Sequence, residues 1–174
     1  MSQMNTTIAG GQVRLRLLTE DDLPMTLAWR NRDEVRRWFR QSAAIDLAKH
    51  TAWFRQLQLA DDALVFIVED NNNGEAVGQV SIYHIDRETG EAEVGRFIVA
   101  PGASGKGFIR AAIIALSQFA FHELALARLY LEVIGNNERA IRLYASVGFE
   151  VFVSPVAPQP TDERLVMMEM KKPS

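Results

Sequence analysis

Gly102-Ala-Ser-Gly-Lys-Gly-Phe-Ile109 constrains this chain more than any other segment. It follows an apolar run, Phe97-Ile-Val-Ala-Pro101, and opens a second that reaches Phe121. The order reads as strand, tight turn, helix. Glycines carry no Cβ, so the backbone can bend sharply and approach a ligand closely. The first N–H groups of a helix have no internal partner and sit at the positive end of its dipole. Such a terminus suits an anion, above all a pyrophosphate, and Lys106 adds a positive charge.

Spacing excludes two phosphate-binding classes. A P-loop needs Gly-Lys followed by Ser or Thr, whereas Lys106 is followed by Gly107 and Phe108. A dinucleotide fingerprint needs a third glycine where Arg110 stands, and it belongs near the first strand of its unit. A lone Gly-x-Gly reads first as turn geometry, so the functional reading needs a second signal.

Composition narrows the field. A chain of 174 residues suits one domain, taken here as 13–171 after a flexible stretch 1–12. The net charge of −3 argues against a nucleic-acid partner. There is no cysteine, and His50, His84 and His122 are far apart in sequence, so neither thiol chemistry nor a metal site is expected. The N-terminus has no basic, apolar signal pattern, and no apolar stretch is long enough to span a bilayer. A cytoplasmic setting is the expectation.

Alternation at Val13–Leu18 predicts a strand. Thr19 with Glu20, Asp21 and Asp22 predicts a helix start, the helix running through Trp29. Asp33–Phe39 and Leu47–Leu59 read as helices. Arg32, Arg36 and Arg40 fall at i, i+4, i+8, which suits a solvated face. Ala63–Val68 and Ala76–Ile85 flank Asn71-Asn-Asn-Gly74 as a hairpin, and a turn at Arg87–Gly90 leads to Ala92–Val99. A helix to about Glu123, a strand at Arg128–Val133, a helix at Asn137–Val147 closed by Gly148, and strands at Phe149–Val153 and Arg164–Met170 complete the chain. The prolines 155, 158 and 160 mark a loop. The expected fold is α/β (α+β): a mixed, mostly antiparallel, twisted sheet of about seven strands with helices on both faces. The strand–helix–strand unit at 97–133 is expected to be parallel and right-handed.

The second signal is Asn137-Glu-Arg-Ala-Ile-Arg-Leu-Tyr-Ala-Ser-Val-Gly-Phe149. On pattern alone it is an amphipathic helix with a capping asparagine. Its residues, Asn-x-x-Ala-x-x-Leu-Tyr-x-x-x-Gly-Phe, stand about 30 positions after the Ser-Gly-Lys-Gly loop. The combination resembles the Gcn5-related N-acetyltransferase (GNAT) superfamily from Val13 to Met170. The resemblance implies acetyl-CoA as cosubstrate and no metal. Its pyrophosphate would lie on the N–H groups of Ser104, Gly105, Lys106, Gly107, Phe108 and Ile109, and its pantetheine arm along Phe97, Ile98 and Val99. Asn137 would complete the cofactor site. The family loop usually begins with Gln or Arg and ends with Gly or Ala. Ser104 removes a charged or amide contact, and Ile109 adds bulk. A homodimer is a family-level expectation.

Acetyl transfer needs a neutral amine, an oxyanion donor and a proton for the departing thiolate. Tyr144 matches the family's acid, since a phenol is protonated at neutral pH. A backbone N–H at Phe97 or Ile98 would polarise the thioester carbonyl. Glu93, six residues before Val99, resembles the carboxylate base of histone-modifying members; a solvent-facing strand carboxylate is the plain alternative. His84 is the rival base, and a water relay is the third.

For the acceptor, Trp29-Arg-Asn and His50-Thr-Ala-Trp-Phe54 look like enzymes that acetylate amino groups of nucleotide-linked sugars in pseudaminic-acid synthesis. Arg30, His50, Trp53 and His84 are the candidate substrate contacts. The alternatives are a protein N-terminus of the ribosomal type, an aminoglycoside, and a non-catalytic acyl-CoA-binding module. An acidic cleft would favour polycations; a basic one would favour nucleotide sugars.

Overall fold

The computed structural model describes residues 6–39, 41–153 and 164–174. Residues 1–5 of the expected flexible stretch, Arg40 of the arginine row and the proline loop at 155–160 lie outside the described residues. Eight strands among those described form one sheet: β1 (Thr7–Gly10), β2 (Val13–Leu17), β3 (Leu64–Asp70), β4 (Ala76–Asp86), β5 (Glu91–Val99), β6 (Arg128–Ile134), β7 (Glu150–Val151) and β8 (Leu165–Lys171). Five helices join them: α1 (Leu23–Arg30), α2 (Asp33–Arg36), α3 (Leu47–Leu59), α4 (Phe108–His122) and α5 (Glu138–Val147).

The sheet runs β1-β2-β3-β4-β5-β6-β8-β7, and the β5–β6 pair alone is parallel. β3 shows how both faces are covered. Leu64, Phe66 and Val68 enter the cluster that contains α4, while Val65 and Ile67 pack with Leu18, Leu23 and Phe54 beneath α1 and α3. A strand buried on both faces reads as a continuous apolar run, which is why Leu64–Val68 shows no alternation.

Two local differences from the sequence reading have physical causes. Thr7–Gly10 falls in the stretch expected to be flexible, yet it pairs with β2. A Cβ on Gly10 would lie 2.7 Å from Ala115 Cβ, so glycine lets α4 close on this edge strand. Thr19 caps as expected, donating from N–H and Oγ1 to Asp22 Oδ2 at 2.8 and 3.0 Å. The turn it caps is a one-turn 3-10 helix, Glu20–Asp22, and α1 begins at Leu23. Arg16 fixes this corner, bridging Asp22 at 2.8 Å and Glu69 at 2.9 Å. Burial raises the Asp22 pKa, but the guanidinium and the Thr19 donors outweigh it and hold the carboxyl below its ordinary range.

The β5–β6 seam decides what the sheet can do. These strands pair only at Glu91–Arg128, Ala92–Leu129 and Glu93–Tyr130. Beyond Glu93 they splay, and a gap opens that points at the glycine loop.

Candidate functional site

Gly102, Gly105 and Gly107 take φ of 77°, 78° and 80°. Left-handed backbone costs a residue with a Cβ, so these positions need glycine. At Gly102 and Gly105 a Cβ would meet nothing within 4 Å. The backbone conformation, not crowding, selects glycine there, and the loop surface stays open. Residues 104–107 are exposed. The first bond of α4 runs from Ala111 N–H to Gly107 C=O at 3.1 Å. The N–H groups of Phe108, Ile109 and Arg110 therefore lack intrahelical acceptors. Ile109 does not crowd this surface: its Cδ1 packs where a Gly78 Cβ would be, 2.8 Å away. The charge missing at Ser104 arrives from another element, since Arg139 Nη2 donates to Ser104 Oγ at 3.0 Å.

Along the gap, Phe97 and Val99 present their backbone edge. The Tyr144 ring lies 5.6 Å from Phe97 and 6.4 Å from Phe149, centroid to centroid. Burial pushes the Tyr144 phenol well above its ordinary pKa, so it stays protonated and able to donate. Asn137 caps α5, its Oδ1 accepting from Ala140 N–H at 3.3 Å. Gly148 closes the helix in the left-handed conformation expected of that position.

Glu93 sits at the closed end of the gap with its side chain 12% exposed. Tyr83, its cross-strand neighbour, donates its hydroxyl to Glu93 Oε2 at 3.1 Å. His84 Nδ1 contacts Glu93 Oε1 at 3.0 Å. Adjacent strand residues normally face opposite sides. Here the ladder steps from Tyr83 to Asp86 while β5 steps from Glu93 to Glu91. The extra residue is a bulge, and His84 sits in it at φ 51°. The bulge turns both side chains onto one carboxylate. A second bulge lies three residues further along β5, where Arg96 has φ 53°. Its guanidinium stacks 4.3 Å over the Tyr83 ring. Burial, and then the Glu93 charge, push the Tyr83 pKa far above its usual value. Tyr83, Arg96 and Arg139 escaped the sequence reading. Counting the hairpin register back from Arg87–Gly90 sets His84 opposite Glu93; the bulge puts Tyr83 there instead.

Residues 12–150 match the acetyltransferase (GNAT) domain family. The chain belongs to the GNAT acetyltransferase family. Spermidine N(1)-acetyltransferase of Escherichia coli K12 is 30% identical over 80% of this chain and 73% of its own length. Aminoglycoside N(6′)-acetyltransferase type 1 of Klebsiella pneumoniae is 26% identical over 83% and 77%. The structure of spermidine N-acetyltransferase from Vibrio cholerae in complex with CoA and spermine superposes with a TM-score of 0.79 at 25% identity, covering 92% of this chain and 95% of that one.

As a GNAT acetyltransferase the protein is an acetyl-CoA-dependent N-acetyltransferase. Its residues fit the cofactor: open glycines in left-handed turns, exposed N–H donors, Lys106 and the nearby Arg139 suit a diphosphate, and the splayed edge suits an amide chain. Among the described residues no cluster of three or more His, Asp or Glu is placed to hold a metal. Nor is any described helix long and apolar enough to cross a membrane.

The acceptor-side candidates do not gather at Glu93, except His84. His50 is 5% exposed, with Nε2 2.8 Å from Thr26 Oγ1 and its ring stacked 5.2 Å from Trp53. That ring joins α1 to α3; burial, then the Arg30 charge, lower its pKa. Trp53 is half-buried against the smaller core cluster. Arg30 is a candidate substrate contact in the sequence. Its guanidinium instead lies 4.4 Å over Phe39, and Nη2 donates to Gln41 C=O at 2.5 Å.

Proposed function

We propose that this GNAT acetyltransferase moves an acetyl group from acetyl-CoA to a primary amine of a polycationic small molecule, of the polyamine or aminoglycoside class. One observation carries the reading. A cavity of about 470 Å³ is lined by Asp61, Asp62, His84, Ile85, Asp86 and Arg87, and its His84 wall touches Glu93. Three carboxylates against one arginine attract a polycation and repel the diphosphate of a nucleotide sugar. The spermidine and aminoglycoside acetyltransferases among the relatives support the same class. The nucleotide-sugar reading loses its support, because Arg30 is engaged elsewhere and the cleft beside the base is acidic.

In the proposed reaction the amine nitrogen attacks the thioester carbonyl, and a nitrogen–carbon bond replaces the carbon–sulfur bond. His84, with its side chain 63% exposed, and Glu93, largely covered, work as a pair. With Nδ1–H directed at Glu93, Nε2 can take the ammonium proton through water, and the carboxylate steadies the resulting imidazolium. The backbone N–H of Phe97, which faces the gap, donates to the oxyanion. Tyr144 delivers a proton to the thiolate, giving free CoA, and regains one through water from the nitrogen as the amide forms. Ser104–Ile109 hold the diphosphate, with Asn137 shaping the neighbouring helix start.

A substrate panel tests the reading: spermidine, an aminoglycoside, a UDP-linked 4-amino sugar and a peptide N-terminus, each with acetyl-CoA. The polycations should give the highest kcat/KM. The Asp61→Asn/Asp62→Asn/Asp86→Asn variant should raise their KM and flatten its dependence on salt. A higher kcat/KM for the nucleotide sugar or the peptide would replace the reading. Sedimentation of the same preparation tests the homodimer; one related structure is of a dodecameric enzyme.

A further inference from the structure

Arg32 stands between α1 and α2, and its side chain does not face solvent as the arginine spacing suggested. α2 is a single turn, and Arg32 precedes it with φ −63° and ψ 136°, extended rather than helical. The side chain is only 23% exposed. Nη1 lies 3.4 Å from Glu34 Oε1, and Nη2 donates to the backbone carbonyl of Val99.

That carbonyl is a particular one. The next residue, Ala100, donates its N–H to Val77 C=O on the β4 side at 2.9 Å. Backbone groups of successive strand residues face opposite edges. The N–H and C=O of Val99 therefore face the gap where β6 has left the ladder. The pantetheine arm of acetyl-CoA is a chain of amides that would add to this edge as a strand does. A carbonyl can accept two bonds, but here both donors must approach from the gap side, where the guanidinium already donates.

We propose that Arg32 is a positioning residue that competes with the pantetheine arm. Its guanidinium holds the Val99 carbonyl, the cofactor's amide takes that place, and the α1–α2 junction is freed on the acceptor side as the arm seats. The proposal rests on the arm lying along Phe97–Val99.

Calorimetry on the whole chain tests it with two probes, CoA and adenosine 3′,5′-bisphosphate, which has the nucleotide but no arm. Arg32→Ala should bind CoA about tenfold more tightly, an effect of about 1.4 kcal/mol, with unchanged affinity for the bisphosphate. Arg32→Lys, which keeps the charge but not the fork, should fall between. Weaker or equal CoA binding by Arg32→Ala overturns the proposal. Hydrogen exchange on the wild-type protein serves if the alanine variant does not fold. Amides at 31–37 should lose protection with CoA and keep it with the bisphosphate; no loss with CoA overturns the proposal. If the wild-type protein binds the bisphosphate but not CoA, the placement of the arm fails instead.

Discussion

The Tyr83 phenol donates to Glu93 across the β4–β5 ladder at 3.1 Å, and its ring lies over Gly95, where an added Cβ would come within 2.7 Å of the hydroxyl. Glycine at 95 therefore permits the contact. Tyr83→Phe keeps the ring and removes the donor. A hydrogen bond to a charged group contributes roughly 1.5–3 kcal/mol, so kcat should fall about 10- to 100-fold. KM for acetyl-CoA should hold. Steady-state rates check both, and an unchanged kcat removes Tyr83 from the site.

Tyr144→Phe separates packing from proton delivery. Its ring contacts with Phe97 and Phe149 survive, so the thermal midpoint and CoA affinity should stay put. The lost acid should lower kcat about 100-fold or more. A poorer thiol leaving group makes the test sharper, since its dependence on protonation is greater.

The Ser104–Arg139 contact predicts a charge swap. Arg139→Ala should raise KM for acetyl-CoA, and Ser104→Arg in that background should restore it. Dephospho-CoA gives the control: the same loss with it places Arg139 at the diphosphate and not at the 3′-phosphate. Failure of the arginine at 104 to rescue would show that the two positions are not equivalent.

His50 makes stability depend on pH. Its folded pKa is depressed from 6.5 by burial first and by Arg30 second. The unfolded chain then binds a proton that the folded chain refuses. This contribution is fully present above 6.5 and is lost as pH falls from there toward the folded value. The Asp22 contribution fades only at lower pH, below the ordinary carboxylate value of 3.8, because its folded pKa is depressed from there. Thermal midpoints should drop between about pH 7 and 5, and His50→Gln should flatten that part of the curve while lowering its plateau. A wild-type curve flat over this interval would refute the assignment.

The glycine loop and the caps of α5 were legible in the chain because their signals are local. Gly102 to Gly107 and Asn137 to Gly148 each encode a turn or cap within a few residues, and glycine is favoured at the positive φ that Gly102, Gly105, Gly107 and Gly148 adopt. The antiparallel central strands and the parallel β5–β6 pair followed from the tight turns and the strand–helix–strand order. Glu93 and His84 were legible, but the Tyr83 contact and the Arg96 stack were not, because bulges make them. His84 and Arg96 adopt positive φ without being glycine, so composition gives no sign of it, and period-two counting then assigns the wrong face. Arg32 misled for a related reason: helical spacing was projected onto a segment with one turn. His50 illustrates the reverse, since a histidine near tryptophans fits a core and a binding site equally well until its burial is known.

Arg128 gives the three-pair seam its last consequence. It begins β6, yet its guanidinium reaches Glu91 on β5 at 3.5 Å and Glu169 on β8 at 2.5 Å. The sheet behaves as two leaves of a book, with this one side chain stitched through the spine. Loosening the stitch should widen the opening from the end where Glu93 lies, so Arg128→Ala should weaken the grip on acetyl-CoA although it removes no group placed on the ligand.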